Sequence, residues 1–160
     1  MDLFINPITE NDFDIVREIF TCMWKDEMIV VHSDVYTFSD MEGLKAEIDG
    51  RIVGCLHYDV KEHTCEILSL VSLQENQGIG SALLTAVESI AKTQHCTKLS
   101  LITTNDNLHA LGFYQRRGFR LTALYPGQVD ASRKLKPSIP FIGEHNIPMR
   151  DELRLEKSIL

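Results

Sequence analysis

The chain has 160 residues, of which 44% are hydrophobic and 24% charged, values typical of a folded globular domain with one core. Sixteen basic residues against 23 acidic ones give a formal net charge of -7. This charge disfavours nucleic-acid binding, which needs clustered Lys and Arg. The longest mostly apolar run, residues 67–73, is too short to span a bilayer, and the start carries no signal peptide pattern. We therefore expect one cytoplasmic domain over residues 1–160, without nucleic-acid or membrane partners.

The N-terminal part of the chain predicts a short extended segment and then a helix. Residues 2–7 are the extended segment, and Thr9 is the expected N-cap of the helix. Residues 25–42 give mixed signals and are interpreted as a loop with at most one short helix. The apolar residues that recur with helical period are Phe13, Val16, Ile19, Phe20 and Met23.

An antiparallel meander is predicted next. Asp49-Gly50 separates two β-like runs, 44–48 and 51–58, and Asp-Gly in this position indicates a tight hairpin turn with positive φ. A second polar turn leads into a long strand at 64–73.

The rest of the chain alternates helices and strands. The sequence therefore predicts an α/β fold with a mixed, mostly antiparallel central sheet flanked by helices. Gly118 is a suitable residue to end the second helix of this part. The predicted elements are a helix at 81–94, a strand at 98–103, a helix at 107–117, a strand at 119–125, an ordered loop or short helix plus loop at 128–148, and a strand at 152–160.

A glycine pair lies between the long strand and the helix after it. In Gly78-Ile79-Gly80 the glycines let the backbone approach a ligand, and the free N–H groups at the helix start favour an anion such as a pyrophosphate. A simple tight turn would look the same. A P-loop is excluded because Ser81 follows Gly80 where Lys is needed, and a dinucleotide fingerprint is excluded because Leu83 stands where its third glycine belongs.

Two blocks resemble the GCN5-related N-acetyltransferases. Residues 75–80, Glu-Asn-Gln-Gly-Ile-Gly, resemble that family's Gln/Arg-x-x-Gly-x-Gly/Ala motif, although Glu75 departs from its first position. Residues 107–119 resemble its Asn-x-x-Ala-x-x-Φ-Tyr-x-x-x-Gly-Phe block. The resemblance implies the acyl-CoA N-acyltransferase fold with acetyl-CoA as cosubstrate.

The resemblance also implies roles for individual residues. Asn107 would hydrogen-bond the cofactor, the small Ala110 would leave room for it, and Tyr114 would protonate the departing thiolate. A helix places these three residues on one face. The alternative to an acid role for Tyr114 is that its ring merely packs against the sheet. The remaining cofactor-binding residues are Val71, Ser72 and Leu73, one of which would supply a backbone N–H to the carbonyl oxygen, and Gln77, Gly78, Ile79, Gly80, Ser81 and Ala82.

Proton removal from the amine has two candidate routes. Glu66 stands where some family members carry a catalytic glutamate that acts through water. It is also a polar residue near the start of a strand, so deprotonation by water alone stays open.

The resemblance thus implies an N-acetyltransferase that moves acetyl directly to a primary amine of a small molecule or peptide, in a ternary complex. A module of the same fold that binds acyl-CoA or an amine without turnover is the alternative, and a homodimer is left open. The net charge of -7 favours cationic amines such as polyamines. The family builds its acceptor wall where this chain has Trp24, Met23, Met28 and Tyr36, although such a group is equally typical of a core.

Other residues have competing interpretations. If residues 57 and 63 paired across the second turn, one face of the sheet would carry Cys55, His57, His63 and Cys65. Four such side chains are possible ligands of a structural zinc ion. Cysteines buried as small apolar residues are the commoner outcome. No metal is expected. The basic pair 116–117 would contact the 3′-phosphate of CoA or be solvated charge. The basic cluster 133–136 would be a solvated turn, with contact to an acidic acceptor or to the cofactor phosphates as the alternative. A valine at Gly80 is expected to block the cofactor without touching the core.

Overall fold

The computed structural model describes residues 2–160, and the fold agrees with the predicted α/β class. Seven strands form a mixed sheet in the order β1-β4-β5-β6-β7-β9-β8, in which only the β6–β7 pair is parallel. The elements are β1 (Leu3–Pro7), α1 (Phe13–Trp24), β2 (Met28–Val31), β3 (Asp34–Thr37), β4 (Glu42–Ile48), β5 (Arg51–Lys61), β6 (Thr64–Ser72), α2 (Ile79–Thr93), β7 (Lys98–Thr104), α3 (Leu108–Arg116), β8 (Arg120–Tyr125), α4 (Gln128–Leu135) and β9 (Glu152–Ser158).

The N-terminal half contains two hairpins whose turns are made by residues with positive φ. Asp49 and Gly50 have φ values of 52° and 75°, which confirms the predicted tight turn between β4 and β5. The prediction of a loop at 25–42 is wrong, because this segment holds the β2–β3 hairpin and a short 3-10 helix. Its turn is made by His32 and Ser33 at φ 49° and 70°, and neither residue type signals such a turn.

Helices cover both faces of the sheet. On one face, a core cluster packs α2 and α3 against the sheet, with Leu83, Val87 and Tyr114 among its members. On the other face, Val16 and Phe20 of α1 pack with residues of β5 and β6. The predicted flanking of the sheet by helices is thus confirmed.

The sheet opens between β6 and β7. Their parallel pairing covers four residues, from Thr64 opposite Lys98 to Ile67 opposite Leu101. Beyond these, β6 stays paired with β5 and β7 stays paired with β9, but the two strands no longer pair with each other. The opening starts at Leu68, where β6 bulges against β5.

The segment after β8 folds back over the open end of β7. The predicted short helix plus loop is confirmed as α4 followed by residues held by the end of β7. Asn105 Oδ1 accepts hydrogen bonds from the N–H groups of Arg150 and Asp151, both at 3.0 Å. The carboxylate of Asp106, buried in the described structure, accepts from the Glu144 N–H at 2.9 Å. Residues 141–151 therefore have a fixed position beside the opening.

The register of β5 and β6 overturns the arrangement considered for zinc. His57 lies opposite Ser69 and Cys55 opposite Val71, while Cys65 lies opposite Val60. The turn is centred between residues 62 and 63 instead of at residue 60, because Lys61 pairs with Thr64. Cys55 and Cys65 consequently belong to core clusters on opposite faces of the sheet. Residues 2–160 contain no group of three His, Cys, Asp or Glu side chains placed to hold a metal ion.

No helix within residues 2–160 has the length and apolarity to cross a membrane.

Candidate active site

The opening leaves one edge of β6 without a strand partner. The Leu73 N–H donates to the Val53 carbonyl of β5 at 2.8 Å. Since N–H groups alternate between the two edges of a strand, those of Val71 and Leu73 face β5, and that of Ser72 faces the open edge. Of the three residues predicted to supply a carbonyl donor, Ser72 is thus the one whose N–H has the required direction.

The start of α2 lies directly beyond this edge. Gly78 is its N-cap at φ 73°, and the first intrahelical N–H donor is Ala82, bonded to the Gly78 carbonyl at 3.0 Å. The N–H groups of residues 79–81 therefore have no acceptor within the helix, and the first turn holds no acidic side chain. A Cβ on Gly78 would meet no atom within 4 Å, so this glycine leaves space for an anion.

Gly80 also has a packing role that the sequence did not predict. A Cβ on this residue would lie 2.9 Å from Cζ of Phe113 in α3, closer than side chains tolerate. The expectation that a valine at Gly80 would not touch the core is wrong, because Phe113 packs against it. Gly80 lets α2 approach α3, whereas Gly78 provides the open space.

Arg117 reaches the same helix start. Its Nε donates to Ser81 Oγ at 2.8 Å, and its guanidinium lies 3.6 Å from the centre of the Phe113 ring. Of the two interpretations of the basic pair 116–117, solvated charge therefore does not apply to Arg117. It adds a positive charge beside the free N–H groups of α2, and partial burial lowers its pKa.

The first turn of α3 places Asn107 at the opening. Its Oδ1 accepts the Ala110 N–H at 3.1 Å, so Asn107 is the N-cap of α3 and its Nδ2 hydrogens are left for a ligand. Asn107 also lines the cavity described below. Ala110 packs partly buried against the core.

Tyr114 lies one helical turn further and is buried. Its ring stands edge-on to Phe113 and Phe119, with ring centres 5.1 and 5.3 Å away. Burial raises the pKa of its phenol well above the ordinary value, so the hydroxyl stays protonated at neutral pH.

A cavity of about 160 Å³ lies on the α1 side of the opening. Leu68 of β6 and residues 102–104 of β7 form its base, and Trp24 and residues 29–31 form one wall. Trp24 Nε1 donates to Ser69 Oγ at 2.9 Å, which fixes the indole. Of the four residues expected in an acceptor wall, Trp24 alone lines this cavity among the described residues.

The opposite wall comes from α4 and β9 and contains residues that the sequence interpretation missed. Glu152 is 3% exposed, and its Oε1 lies 3.2 Å from Nδ1 of His32. Lys136 is also buried, and its Nζ donates to the carbonyls of Trp24 and Met28 at 3.0 and 2.8 Å. Burial lowers the pKa of Lys136. Arg133 is buried as well, so the basic cluster 133–136 is not a solvated turn.

Glu66 lies just outside this cavity. It pairs with Asp59 and Ser100 in the part of β6 that is still bonded on both edges, two residues before Leu68. Burial is the main cause of a raised pKa for its carboxyl, against the lowering effect of Arg154 and Lys61.

Comparisons with known proteins agree with this geometry. The Acetyltransferase (GNAT) family matches residues 13–119. The uncharacterised Bacillus subtilis (strain 168) protein YxbD is 41% identical over 156 residues, which cover 97% of this chain and 98% of YxbD. Among solved structures, a GNAT family acetyltransferase from Elizabethkingia anophelis with acetyl-CoA bound has a TM-score of 0.72 at 24% identity, with 98% of this chain and 97% of that chain covered. A Bacillus subtilis acetyltransferase in complex with CoA has a TM-score of 0.71 at 19% identity, with 99% of this chain and 100% of that chain covered.

Proposed function

The protein belongs to the GNAT acetyltransferase family, and we propose that it transfers acetyl from acetyl-CoA directly to a primary amine. The observation that carries this proposal is the opening between β6 and β7, which has a free strand edge, an anion-binding helix start and a cavity around it. Relatives of the same fold hold acetyl-CoA or CoA. A cytoplasmic location and a homodimer stay predictions.

The residues present fit acetyl-CoA. The N–H groups at the start of α2 suit its pyrophosphate, and Gly78 leaves space for it. Gln77 is exposed in the loop before this helix and is predicted to contact the cofactor from there. The Nδ2 hydrogens of Asn107 and the free edge of β6 suit the amide groups of the pantetheine arm. Acetyl-CoA supplies the activated acetyl group.

The catalytic roles follow from position and protonation. The Ser72 N–H would donate to the acetyl carbonyl oxygen, where negative charge develops during attack by the amine. Tyr114 would donate its phenolic proton to the departing sulfur, since burial keeps that proton bound. The amine would enter from the cavity on the α1 side.

Glu66 is proposed as the base, acting on the amine through water. Its pKa is raised by burial, which brings it closer to neutral pH and makes it a better proton acceptor. Since the base must be deprotonated, activity should fall as pH drops through this pKa. Glu66→Gln should lower kcat and remove this fall in activity on the acidic side of the pH–rate profile. If the fall were unchanged in Glu66→Gln, the amine would be deprotonated by water without Glu66.

The proposal is tested by incubating the protein with acetyl-CoA and a panel of primary amines. Free thiol measures CoA release, and mass spectrometry identifies the acetylated amine. We expect CoA release that depends on the amine and matches the acetylated product one to one. A thermal shift with acetyl-CoA in the absence of any acetylated amine would instead support the binding module without turnover.

A further inference from the structure

Glu152 is a buried carboxylate that faces the cavity, and nothing in the proposed reaction uses it. It is 3% exposed and lines the cavity opposite Trp24. Its Oε1 accepts from His32 at 3.2 Å, and its Oε2 lies 3.5 Å from Ser132 Oγ. A carboxylate oxygen accepts more than one hydrogen bond, so both oxygens retain acceptor capacity towards the cavity.

The rest of the cavity is mainly apolar, and the uncharged polar side chains in its lining are those of Thr103, Thr104, Asn107 and Ser132. Its walls are mainly aliphatic and aromatic, with Ile29, Leu68, Ile102 and Val129 among them. The one other charged side chain in its lining is Lys136, and two of its three hydrogens go to the carbonyls of Trp24 and Met28. Glu152 is therefore the negative charge against which a cationic ligand would be placed.

We propose that Glu152 binds the ammonium group of the acceptor and that this acceptor is a compact monoamine with an apolar body. This inference rests on the proposed function and names the substrate class of the same site. A charge-assisted hydrogen bond to Glu152 orients the nitrogen, and the apolar walls bury the body of the amine.

The same chemistry disfavours the polyamines that the net charge alone would favour. A second ammonium group inside the cavity would find no second carboxylate among the described lining residues, and it would share the cavity with the positive charge of Lys136. A volume of about 160 Å³ also leaves little room for a chain as long as that of spermidine. Isoamylamine, with one ammonium group and a branched apolar body, is the probe that fits.

The test compares Glu152→Gln with the control variant Glu156→Gln, which removes the same charge four residues further along β9. Glu156 forms an ion pair with Lys98 and is not among the residues that line the cavity. With isoamylamine and acetyl-CoA, Glu152→Gln should lower kcat/KM at least about 30-fold, mainly through the KM for the amine. The KM for acetyl-CoA should stay within about threefold, and Glu156→Gln should resemble the wild type. An unchanged amine KM in folded Glu152→Gln would overturn the assignment, with the acetyltransferase itself intact.

A measurement on the unmodified protein decides the question if Glu152→Gln fails to fold. Isoamylamine should exceed putrescine and spermidine in kcat/KM by at least about tenfold. Equal or faster acetylation of the polyamines would overturn the substrate class, and acetylation of no amine at all would overturn the proposed function and this inference together.

Discussion

Arg117 and Ser81 lie 36 residues apart in sequence, yet the guanidinium Nε donates to the serine Oγ at 2.8 Å. The contact joins the C-terminal end of α3 to the first turn of α2, where three N–H groups have no intrahelical acceptor. A positive charge is thus held beside the proposed pyrophosphate site by the stacking of Arg117 on Phe113.

Arg117→Ala should therefore raise the KM for acetyl-CoA about ten- to a hundredfold, since hydrogen bonds to charged groups contribute about 1.5–3 kcal/mol. Steady-state kinetics at saturating amine measures this. Arg116→Ala is the control, because Arg116 is exposed at the end of the same helix. An equal rise in the KM for acetyl-CoA in both variants would mean that Arg117 contributes only its positive charge and makes no specific contact with the cofactor.

Gly80→Val should destabilise the protein. Its Cβ would press on Phe113 at 2.9 Å, and overpacking of this kind costs about 1–3 kcal/mol in the free energy of unfolding. Urea denaturation measures the loss, and the double variant Gly80→Val/Phe113→Leu should recover part of it because a smaller side chain makes room. Wild-type stability in Gly80→Val would show that α2 and α3 are not in contact at this point.

His57 should make the stability depend on pH. It is 1% exposed between Phe20 and Phe38, its Nδ1 has no hydrogen-bond partner within residues 2–160, and burial lowers its pKa to about 4. The unfolded chain binds the proton near pH 6.5, so stability is fully present above that pH and falls as the pH drops towards 4. The loss is at most about 3 to 4 kcal/mol, from roughly 1.4 kcal/mol for each of the 2.5 pH units between the two values.

Chemical denaturation between pH 4 and 7 tests this prediction. His57→Leu should be less sensitive to pH over this range than the wild type, whereas His63→Leu, at an exposed turn, should keep the wild-type slope. Parallel curves for the wild type and His57→Leu would contradict a buried neutral His57.

Tyr114→Phe should lower kcat about 10²–10⁴-fold, the usual contribution of general acid catalysis, and leave the affinity for acetyl-CoA within a few-fold. The ring is retained, so its edge-on packing with Phe113 and Phe119 should survive, and circular dichroism checks this. Asn107→Ala is the contrasting variant, because it should raise the KM for acetyl-CoA more than it lowers kcat. Wild-type kcat in Tyr114→Phe from pH 6 to 9, with chemistry rate-limiting, would remove Tyr114 as the acid.

The sequence was sufficient for features that depend on local pattern. The Asp49-Gly50 turn, the periodic helix around Phe20 and the glycine pair before α2 each have a short-range physical cause, and each is present. The α2 helix begins at Ile79, two residues before the predicted start, because Gly78 itself serves as the N-cap.

Features that depend on distant partners were missed. Glu152 carries no local signal, since its environment is set by His32 and Ser132 from other elements. The β2–β3 hairpin turns on His32 and Ser33, a pair that gives a much weaker hairpin signal than Asp-Gly. The bulge at Leu68 changes the register of β5 and β6, and alternation of residue types could not predict it.

Direct attack of the amine on bound acetyl-CoA is the central step of the proposed mechanism. Cys55 and Cys65 are poor nucleophiles, because burial raises the pKa of each thiol to about 12, and burial raises that of Cys96 as well. The fourth cysteine, Cys22, is exposed on α1 and is not among the residues that line the cavity. We therefore expect a ternary complex to form before any acetyl group moves.

Two-substrate initial-rate kinetics tests this most directly, with isoamylamine and acetyl-CoA varied against each other. We expect double-reciprocal lines that intersect, since both substrates must be bound before the first product leaves. Parallel lines would indicate an acetylated enzyme intermediate and would contradict direct transfer.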